Sequence, residues 1–252
     1  MKLKDKVAIV TGAGSGIGRA IALRLAQEGV AIGVNDILLE KANTVADEIQ
    51  ALGGKAMAIE ADVSNSQEVN LMVQAVLNEF GGIDILVNNA GGSARERRSM
   101  FYESSEEVWD YVLGINLKGV LNCCRAVIGH MMQKRSGKIV NIASVAGMIG
   151  SSAGMADYST AKAGIIGFTM ALAKEVGSYG ININCVSPGP IETEHVLSLP
   201  EDIKEQWKKS TYLDRLGKPE EVASMVAFLV SDEASFITGQ NYAVCGARNL
   251  GT

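Results

Sequence analysis

The chain of 252 residues is 47% hydrophobic and carries a formal net charge of −5. This length and composition suit one α/β domain with a large core, which we predict over residues 1–252. The acidic balance gives no support to nucleic-acid binding. Because no apolar run approaches the ~20 residues of a membrane span and the start is no signal peptide, we expect a cytoplasmic protein without a membrane partner.

The cysteines are too few and too irregularly spaced for a disulfide framework or a zinc site. They are Cys123, Cys124, Cys185 and Cys245. We expect reduced thiols, with one of the adjacent pair packed and the other nearer a surface or an interface. Neither histidine has metal-ligand spacing, so no metal site is predicted.

The N-terminal region predicts a nucleotide site. The apolar run 7–10 is typical of a buried strand, and the glycine turn 11–18, TGAGSGIG, leads from it into an amphipathic helix. Its glycines are spaced G-x-x-x-G-x-G, at Gly12, Gly16 and Gly18. A strand, a turn and a helix N-terminus present unpaired N–H groups and the positive end of a helix dipole to a pyrophosphate. The alternative is a plain tight turn.

The second predicted strand, 30–36 (VAIGVND), tests the cofactor, because it ends in Asp36 about 20 residues beyond the turn. A carboxylate there can accept hydrogen bonds from both hydroxyls of an adenosine ribose, and it repels a 2′-phosphate. A site for NADP would more plausibly have Arg or Lys where Ser15 and Ile37 stand. Asp36 therefore favours NAD; the alternative is that it only caps the helix beginning near Leu38.

Tyr158 and Lys162 are spaced as Tyr-x-x-x-Lys, which places them one turn apart on one face of a helix. A free phenol titrates near pH ~10, too high for a good base at neutrality. A nearby cation favours the phenolate and makes general acid–base transfer more efficient. An isolated match of this kind could equally be a surface aromatic with an incidental lysine.

Motifs in order along essentially the whole chain resemble the short-chain dehydrogenase/reductase family. Besides the glycine turn and the Tyr-Lys pair, 88–91 (NNAG) is similar to the motif that closes the central sheet over the cofactor, and 188–193 (PGPIET) to the segment that brackets the nicotinamide. The cofactor contacts that the resemblance implies are Gly12, Ser15, Gly16, Ile17, Gly18, Asp36, Asp62, Val63, Asn89, Ala90, Gly91, Tyr158, Lys162, Pro188, Gly189, Ile191 and Thr193.

The resemblance also implies a catalytic set of Asn116, Ser144, Tyr158 and Lys162. Tyr158 would exchange a proton with the substrate, and Lys162 would hold the phenolate and bind the nicotinamide ribose. Ser144 would hydrogen-bond the substrate oxygen, and Asn116 would connect Lys162 to solvent through water. Ser144 and Tyr158 would thus both contact the substrate.

The activity implied is that of an NAD(P)-dependent alcohol dehydrogenase or ketone reductase that prefers NAD and moves a hydride between NAD and a secondary alcohol or ketone. One alternative is a reductase of 3-oxoacyl thioesters on acyl-carrier protein, which the segment 215–221 (RLGKPEE) also resembles. Asp36 argues against it, because biosynthetic reductases of that type usually take NADPH. A remote alternative is a catalytically silent NAD-binding sensor.

Alternating strand and helix patterns predict an α/β fold with one doubly wound parallel sheet of about seven strands, Rossmann-type, and helices on both faces. Ligands of such sheets bind beyond the carboxyl ends of the strands. The strands are expected near residues 7–11, 31–35, 55–60, 84–88, 138–143, 181–186 and 241–245.

The sequence departs from the family pattern in two places. The loop Gly150–Met155 carries an apparent extra residue, which makes Ser151 or Ser152 an alternative for the serine role. Ser144, which stands where the fifth predicted strand ends, remains the preferred residue. Residues 245–247 (CGA) stand where relatives often have Asp-Gly-Gly, which bears on local packing or assembly rather than on chemistry.

Two segments could contact the substrate. Arg95, Arg97 and Arg98 lie in a basic loop and could grip a carboxylate, phosphate or sulfonate. The alternative is a solvated loop balanced by neighbouring glutamates. A small substrate lid is predicted near residues 190–216, with His195 as a further substrate contact.

We also expect a homo-oligomer, most plausibly a homotetramer, since two long helices commonly form a four-helix interface in this family. They are predicted near residues 104–133 and 157–178. The second carries an apolar stripe, whose alternative role is to face only its own sheet: Ala161, Ile165, Phe168, Leu172 and Val176.

Overall fold

A computed structural model describes residues 3–93 and 99–250. Its strands are β1 (Val7–Val10), β2 (Ala31–Asp36), β3 (Ala56–Glu60), β4 (Ile85–Asn88), β5 (Gly137–Ile142), β6 (Ile181–Pro188) and β7 (Asn241–Val244). They form a seven-stranded sheet in the order β3-β2-β1-β4-β5-β6-β7, and every pair is parallel. The predicted doubly wound parallel sheet is confirmed.

The helices alternate with the strands as predicted. They are α1 (Gly16–Gln27), α2 (Leu39–Ala51), α3 (Ser66–Phe80), α4 (Glu106–Leu113), α5 (Gly119–Lys134), α6 (Ala146–Ile149), α7 (Ala156–Val176), α8 (Glu194–Leu197), α9 (Glu201–Lys209) and α10 (Pro219–Val230). A π-helical turn, Gly114–Lys118, joins α4 to α5 within the stretch predicted as one helix.

The five inner strands, β2, β1, β4, β5 and β6, bury most residues of both faces, because helices cover the sheet on both sides. Along β1, Ala8 and Val10 point into the core layer under α1, α2 and α10, whereas Ile9 points into the layer under α3, α5 and α7. This alternation is the period of two expected of a strand. The near-continuous apolar runs of the sequence therefore supply two cores at once.

Cys123 and Cys124 are both buried, so the expectation that one would lie nearer a surface is wrong. The reason is that α5 packs on α3 as well as on β4 and β5, which buries a wide stripe of the helix. The Cys124 Sγ accepts a hydrogen bond from Asn88 Nδ2 at 3.3 Å. Burial raises the pKa of both thiols, which keeps them protonated.

The apolar stripe of α7 faces its own protomer. Ala161, Ile165 and Val176 are buried beneath α7, and Phe168 and Leu172 pack against the same core layer. The stripe therefore does not support the predicted four-helix interface, and the homotetramer stays a prediction.

Among the described helices, the stretch Glu106–Lys134 is by length and composition long and apolar enough to cross a membrane. The core helix of a folded protein passes the same test, and this stretch includes α5, which packs on the sheet. The finding is weak evidence for a membrane span.

Asp84, just before β4, ties together the amino ends of two central strands. Its carboxylate accepts hydrogen bonds from the Val7 N–H at 3.0 Å and from Lys134 Nζ, and it lies 3.6 Å from Lys6 Nζ. Burial by itself would raise the pKa of Asp84, but Lys134, the Val7 N–H and Lys6 together hold it below its ordinary value.

Asp84→Asn should lower the free energy of unfolding by about 1–3 kcal/mol at neutral pH, because it removes a charged acceptor from a buried site. Since the folded-state pKa is depressed, this stabilisation is present above pH ~3.9 and is lost as the pH falls through the folded-state value. Urea unfolding at several pH values would measure both effects. Asp47→Asn, on the exposed side of α2, is the matched control, and equal losses in the two variants would contradict the account.

Candidate active site

A cleft of about 1120 Å³ opens at the carboxyl edge of the sheet. Its walls contain every predicted cofactor contact except Gly18, together with Ser144, Tyr158, Lys162 and His195. Arg95, Arg97 and Arg98 lie outside the described residues, so their predicted role is not addressed by the structure.

The glycine turn brings bare backbone to the cleft wall. Gly12 has a φ of +59°, and a Cβ there would lie 2.8 Å from the Ala90 Cα. A Cβ on Gly18 would collide with the Gly12 carbonyl oxygen, so this glycine lets α1 start directly on the turn. The first turn of α1 therefore meets the cleft without side chains in the way, which fits a bound pyrophosphate.

Hydrogen bonds hold this turn against β4. Asn89 Nδ2 donates to the carbonyl oxygens of Thr11 and Gly12, each at 3.0 Å. The Thr11 Oγ1 accepts from the N–H groups of Asn89 and Ala90, also at 3.0 Å each. Asn89 thus positions the turn, a role that the predicted cofactor contact did not specify.

Asp36 lines the cleft at the end of β2 and combines the two roles weighed from the sequence. Its Oδ2 accepts from the Gly14 N–H at 3.0 Å, and its Oδ1 accepts from the Leu38 N–H at 3.1 Å just before α2. The carboxylate therefore sits beside the glycine turn, where a ribose would be bound.

Lys41 is a cleft residue that the sequence analysis missed. A Cβ on Gly14 would lie 2.6 Å from the Lys41 Cβ and 2.7 Å from Asp36 Oδ2, so the lysine stem and the acid flank the same glycine. From the sequence, basic residues for NADP were expected only in the turn or directly after β2. The first turn of α2 carries Lys41 back to that place.

Ser144, Tyr158 and Lys162 meet at the carboxyl end of β5. Ser144 follows this strand, and its Oγ accepts from the Ala146 N–H at 3.1 Å. Lys162 Nζ donates to the Ile142 carbonyl oxygen at 3.0 Å and lies 5.6 Å from the centroid of the Tyr158 ring. The sequence spacing of Tyr158 and Lys162 therefore does place both groups at one locus.

The Lys162 side chain is almost completely buried, with 4% of the residue exposed. Desolvation lowers the pKa of its ammonium group to about 8. No carboxylate in residues 3–93 or 99–250 pairs with it. A buried cation of this kind interacts strongly with a neighbouring phenol, because little water screens the interaction.

Asn116 lies behind the cleft wall rather than on it. Its Oδ1 accepts from the Gly92 N–H at 3.2 Å, and its Nδ2 donates to the carbonyl oxygens of Gly92 and Val112 at 2.7 and 2.9 Å. A Cβ on Gly91 would lie 2.5 Å from Asn116 Oδ1 and 3.3 Å from Lys162 Nζ. Asn116 and Lys162 thus flank Gly91, and the π-helical turn gives the asparagine this position.

The loop Gly150–Met155, which carries the apparent extra residue, lines the cleft, but its serines fit the catalytic role less well than Ser144 does. Ser151 and Ser152 line the cleft, yet both are exposed and their hydroxyls contact only the Met155 sulfur at 3.5 and 3.9 Å. Ser144 instead sits beside β6, because the Val145 N–H donates to the Pro188 carbonyl oxygen at 3.1 Å.

The segment near 190–216, predicted as a substrate lid, contains α8 and α9, and residues of both helices line the cleft. Thr193 Oγ1 caps α8 by accepting from the Val196 N–H at 3.4 Å, and His195 and Trp207 line the cleft. Arg248, close to the end of the chain, lines it too and was not foreseen. The substrate lid near residues 190–216 stays a prediction.

In the part of the chain that the structure describes, no group of three His, Cys, Asp or Glu side chains is arranged to hold a metal ion.

Comparison with known proteins gives full-length matches. A family model described as enoyl-(acyl carrier protein) reductase matches residues 12–247. The BbsD subunit of (2S)-[(R)-hydroxy(phenyl)methyl]succinyl-CoA dehydrogenase from Thauera aromatica is 43% identical over 250 residues, covering 99% of each chain. A 3-oxoacyl-[acyl-carrier-protein] reductase from Staphylococcus aureus is 44% identical over 246 residues, covering 97% of this chain and 98% of the relative.

The chain belongs to the short-chain dehydrogenase/reductase family. A solved family structure, the 3-oxoacyl-[acyl-carrier protein] reductase from Brucella melitensis, superimposes with a TM-score of 0.92 at 36% identity, covering 97% of this chain and 91% of that one. The chain is therefore an oxidoreductase of the family that uses a nicotinamide cofactor, and the sequence-based assignment is confirmed at that level.

Lys162→Met should remove turnover and yet raise the free energy of unfolding of the cofactor-free protein by roughly 1–3 kcal/mol, because a buried unpaired charge is replaced by an apolar chain of similar length. Between pH about 8 and 10.5 the unfolded chain binds more protons at this lysine than the folded one, so wild-type stability should rise with pH in that window and that of the variant should not. Denaturant unfolding measures both.

Lys174→Met, on the exposed side of α7, is the control for the loss of one surface lysine. A Lys162→Met protein that unfolds more easily than the wild type would show that the ammonium group stabilises the fold.

Proposed function

We propose that the protein transfers a hydride between NAD and the 3-hydroxy or 3-oxo group of an acyl thioester, with Tyr158 as the proton-transfer group. The observation that carries this proposal is the near-full-length identity of 43% and 44% to two enzymes whose names specify acyl thioesters. The substrate named for the first enzyme has a hydroxyl group on a substituted succinyl-CoA, and the substrate named for the second is a 3-oxoacyl group on acyl-carrier protein. The thioester, first weighed only as an alternative to a general secondary alcohol, thus becomes the better-supported substrate.

The cleft residues fit the cofactor. The bare backbone around Gly12 and Gly16 would bind the pyrophosphate, Asp36 the adenosine ribose, and Asp62 with Val63 the adenine. The segment 188–193 would bracket the nicotinamide. NAD, when bound, supplies the site that accepts or returns the hydride.

The protein residues move and stabilise the proton. Tyr158, held as a phenolate by the nearby Lys162 ammonium group, would take the proton from the substrate hydroxyl on Oη and so become a neutral phenol. Ser144 Oγ already accepts from the Ala146 N–H, so its own hydrogen is left to donate to the substrate oxygen. Asn116, whose Oδ1 lies near Lys162 Nζ on the Cβ side of Gly91, would lead the proton onward through water.

The proposed preference for NAD over NADP rests on the negative charge of Asp36. The positive charge of Lys41, next to it, acts in the opposite direction because it would attract a 2′-phosphate. Asp36 keeps its carboxylate beside the glycine turn by accepting hydrogen bonds from the N–H groups of Gly14 and Leu38, so it faces the place of a 2′-phosphate.

A general secondary-alcohol dehydrogenase remains the second candidate function. Ser144, Tyr158 and Lys162 meeting in one cleft weigh against a silent sensor. Cytoplasmic location and homotetrameric assembly stay predictions.

The substrate assignment predicts that, with NAD, a 3-hydroxyacyl-CoA gives a higher kcat/KM than polyols, free hydroxy acids or cyclic alcohols. Tyr158→Phe should then lower kcat more than ~100-fold while the Kd for NAD, measured by calorimetry, stays nearly unchanged, because only the proton-transfer group is lost. Tyr179→Phe, beyond the C-terminus of α7, is the control. A cyclic alcohol as the best substrate would favour the second candidate, and more than about a hundredth of wild-type activity in Tyr158→Phe would refute the proton-transfer role.

For the cofactor we expect NAD to be strongly preferred, since a like-charge clash of this kind typically costs several kcal/mol. Replacing Asp36 with Ala and Ile37 with Arg should move the preference toward NADP, and Lys41→Ala added to that pair should reverse part of the gain. The kcat/KM values for the two cofactors measure this. Comparable values in the wild type would contradict the preference, and no movement in the variant would mean that Asp36 only holds Gly14 and Leu38.

A further inference from the structure

Arg248 is held in place at the rim of the cleft. It follows β7 and begins a 3₁₀ turn, Arg248–Leu250. Its N–H donates to the Cys245 carbonyl oxygen at 3.2 Å, and the Cys245 thiol donates to Asn249 Oδ1 at 3.0 Å. The Tyr212 N–H donates to the Gly246 carbonyl oxygen at 2.8 Å, which fastens this turn to the segment after α9. The segment that departs from the family pattern at 245–247 is therefore well ordered around Arg248.

The strand order places Arg248 at the substrate end of the cleft. Asp36 ends β2 and Asp62 follows β3, both on one side of β1, whereas Arg248 follows β7 at the opposite edge. Neighbouring strands are ~4.8 Å apart, so the end of β7 lies roughly 10 Å beyond that of β5, which leads to Ser144. Arg248 and Asp36 therefore lie on opposite sides of Tyr158.

The guanidinium of Arg248 has no ion-pair partner among the described residues. Three other arginines of the protein, Arg19, Arg24 and Arg215, each pair with a glutamate. Within residues 3–93 and 99–250, Arg248 forms no ion pair, and its side chain makes no hydrogen bond. The side chain is nevertheless partly buried, and desolvation lowers its pKa, although a guanidinium stays charged at neutral pH.

The titratable groups that share this end of the cleft are few. Glu194 and His195 of α8 line it, and Lys162 lies deeper, beside Tyr158. Glu194 is exposed and does not pair with Arg248. Among the described residues that line this end of the cleft, one acid is opposed by Arg248 and Lys162, a positive excess that a bound anion would neutralise.

We propose that Arg248 binds an anionic group of the substrate, carried on the side of the molecule that points away from the nicotinamide. A guanidinium presents a planar fork of donors that matches the paired oxygens of a carboxylate or a phosphate. For an acyl thioester the anion is either a carboxylate at the far end of the acyl chain or a phosphate of the carrier. This inference rests on the proposed function for the substrate class, but the cation and its place in the cleft do not depend on it.

The test compares kcat/KM of wild type and Arg248→Ala on matched substrates. 3-Hydroxyadipyl and 3-hydroxyhexanoyl groups have the same chain length and differ only in the terminal carboxylate. Each is offered as the CoA thioester and as the N-acetylcysteamine thioester, which lacks phosphate. We expect a roughly 10- to 150-fold loss, mainly in KM, for substrates that carry the recognised anion. Arg248→Lys should recover part of the loss, because it restores the charge but not the fork.

A loss confined to the two adipyl substrates would identify the acyl carboxylate, and one confined to the two CoA substrates the carrier phosphate. Equal changes for all four substrates, or changes within about twofold as expected of the surface control Lys209→Ala, would overturn the proposal.

Calorimetry separates this proposal from the proposed function. Adipate and inorganic phosphate are titrated separately into the cofactor-free wild type and into Arg248→Ala. Binding of one of them by the wild type that is lost in the variant supports the anion site even if no thioester is oxidised, an outcome that would sink the proposed function alone. Equal binding of both anions by wild type and variant would overturn the anion site.

Discussion

The burial of the Lys162 ammonium group is the constraint around which the active site is built. A cation with so little access to water must be held by close packing, and α7 presses it against the end of β5, where it bonds the Ile142 carbonyl oxygen. That contact also sets the position of Tyr158 one turn earlier on α7. In the proposed mechanism this energetically unfavourable charge acts on the phenol, a loss of stability in favour of chemistry that is common at active sites.

The fold could be read from the sequence because its signals are local and repeated. Apolar runs such as 7–10 and 181–186 alternate with amphipathic helices, and this order leaves a parallel sheet as the natural arrangement. The π-helical turn at 114–118 was missed, since one extra residue in a turn leaves the helical pattern almost unchanged. The burial of both Cys123 and Cys124 was missed for another reason: it depends on α3 packing beside α5, which is a tertiary contact.

For the candidate site too, local sequence motifs could be recognised from the sequence, whereas residues brought to the cleft by tertiary structure could not. Residues in motifs could be found from the sequence: Gly12 and Ser144 because each follows a predicted strand, and Tyr158 because of its spacing from Lys162. Lys41 and Arg248 belong to no motif, and only the return of α2 to the glycine turn and the position of β7 at the edge of the sheet bring them to the cleft. We propose that their charges bear on cofactor and substrate choice, properties that vary among proteins of one fold.

The most direct test of the central claim uses 3-hydroxyhexanoyl-CoA deuterated at carbon 3, incubated with the protein and NAD, with the reduced cofactor analysed by mass spectrometry. If the protein oxidises 3-hydroxyacyl thioesters by direct hydride transfer, the reduced cofactor carries the deuterium and a 3-oxoacyl thioester accumulates with it. Release of the deuterium into water would contradict the account. So would the absence of reduced cofactor with this thioester, if a parallel incubation with a deuterated secondary alcohol that lacks a thioester yields reduced cofactor readily.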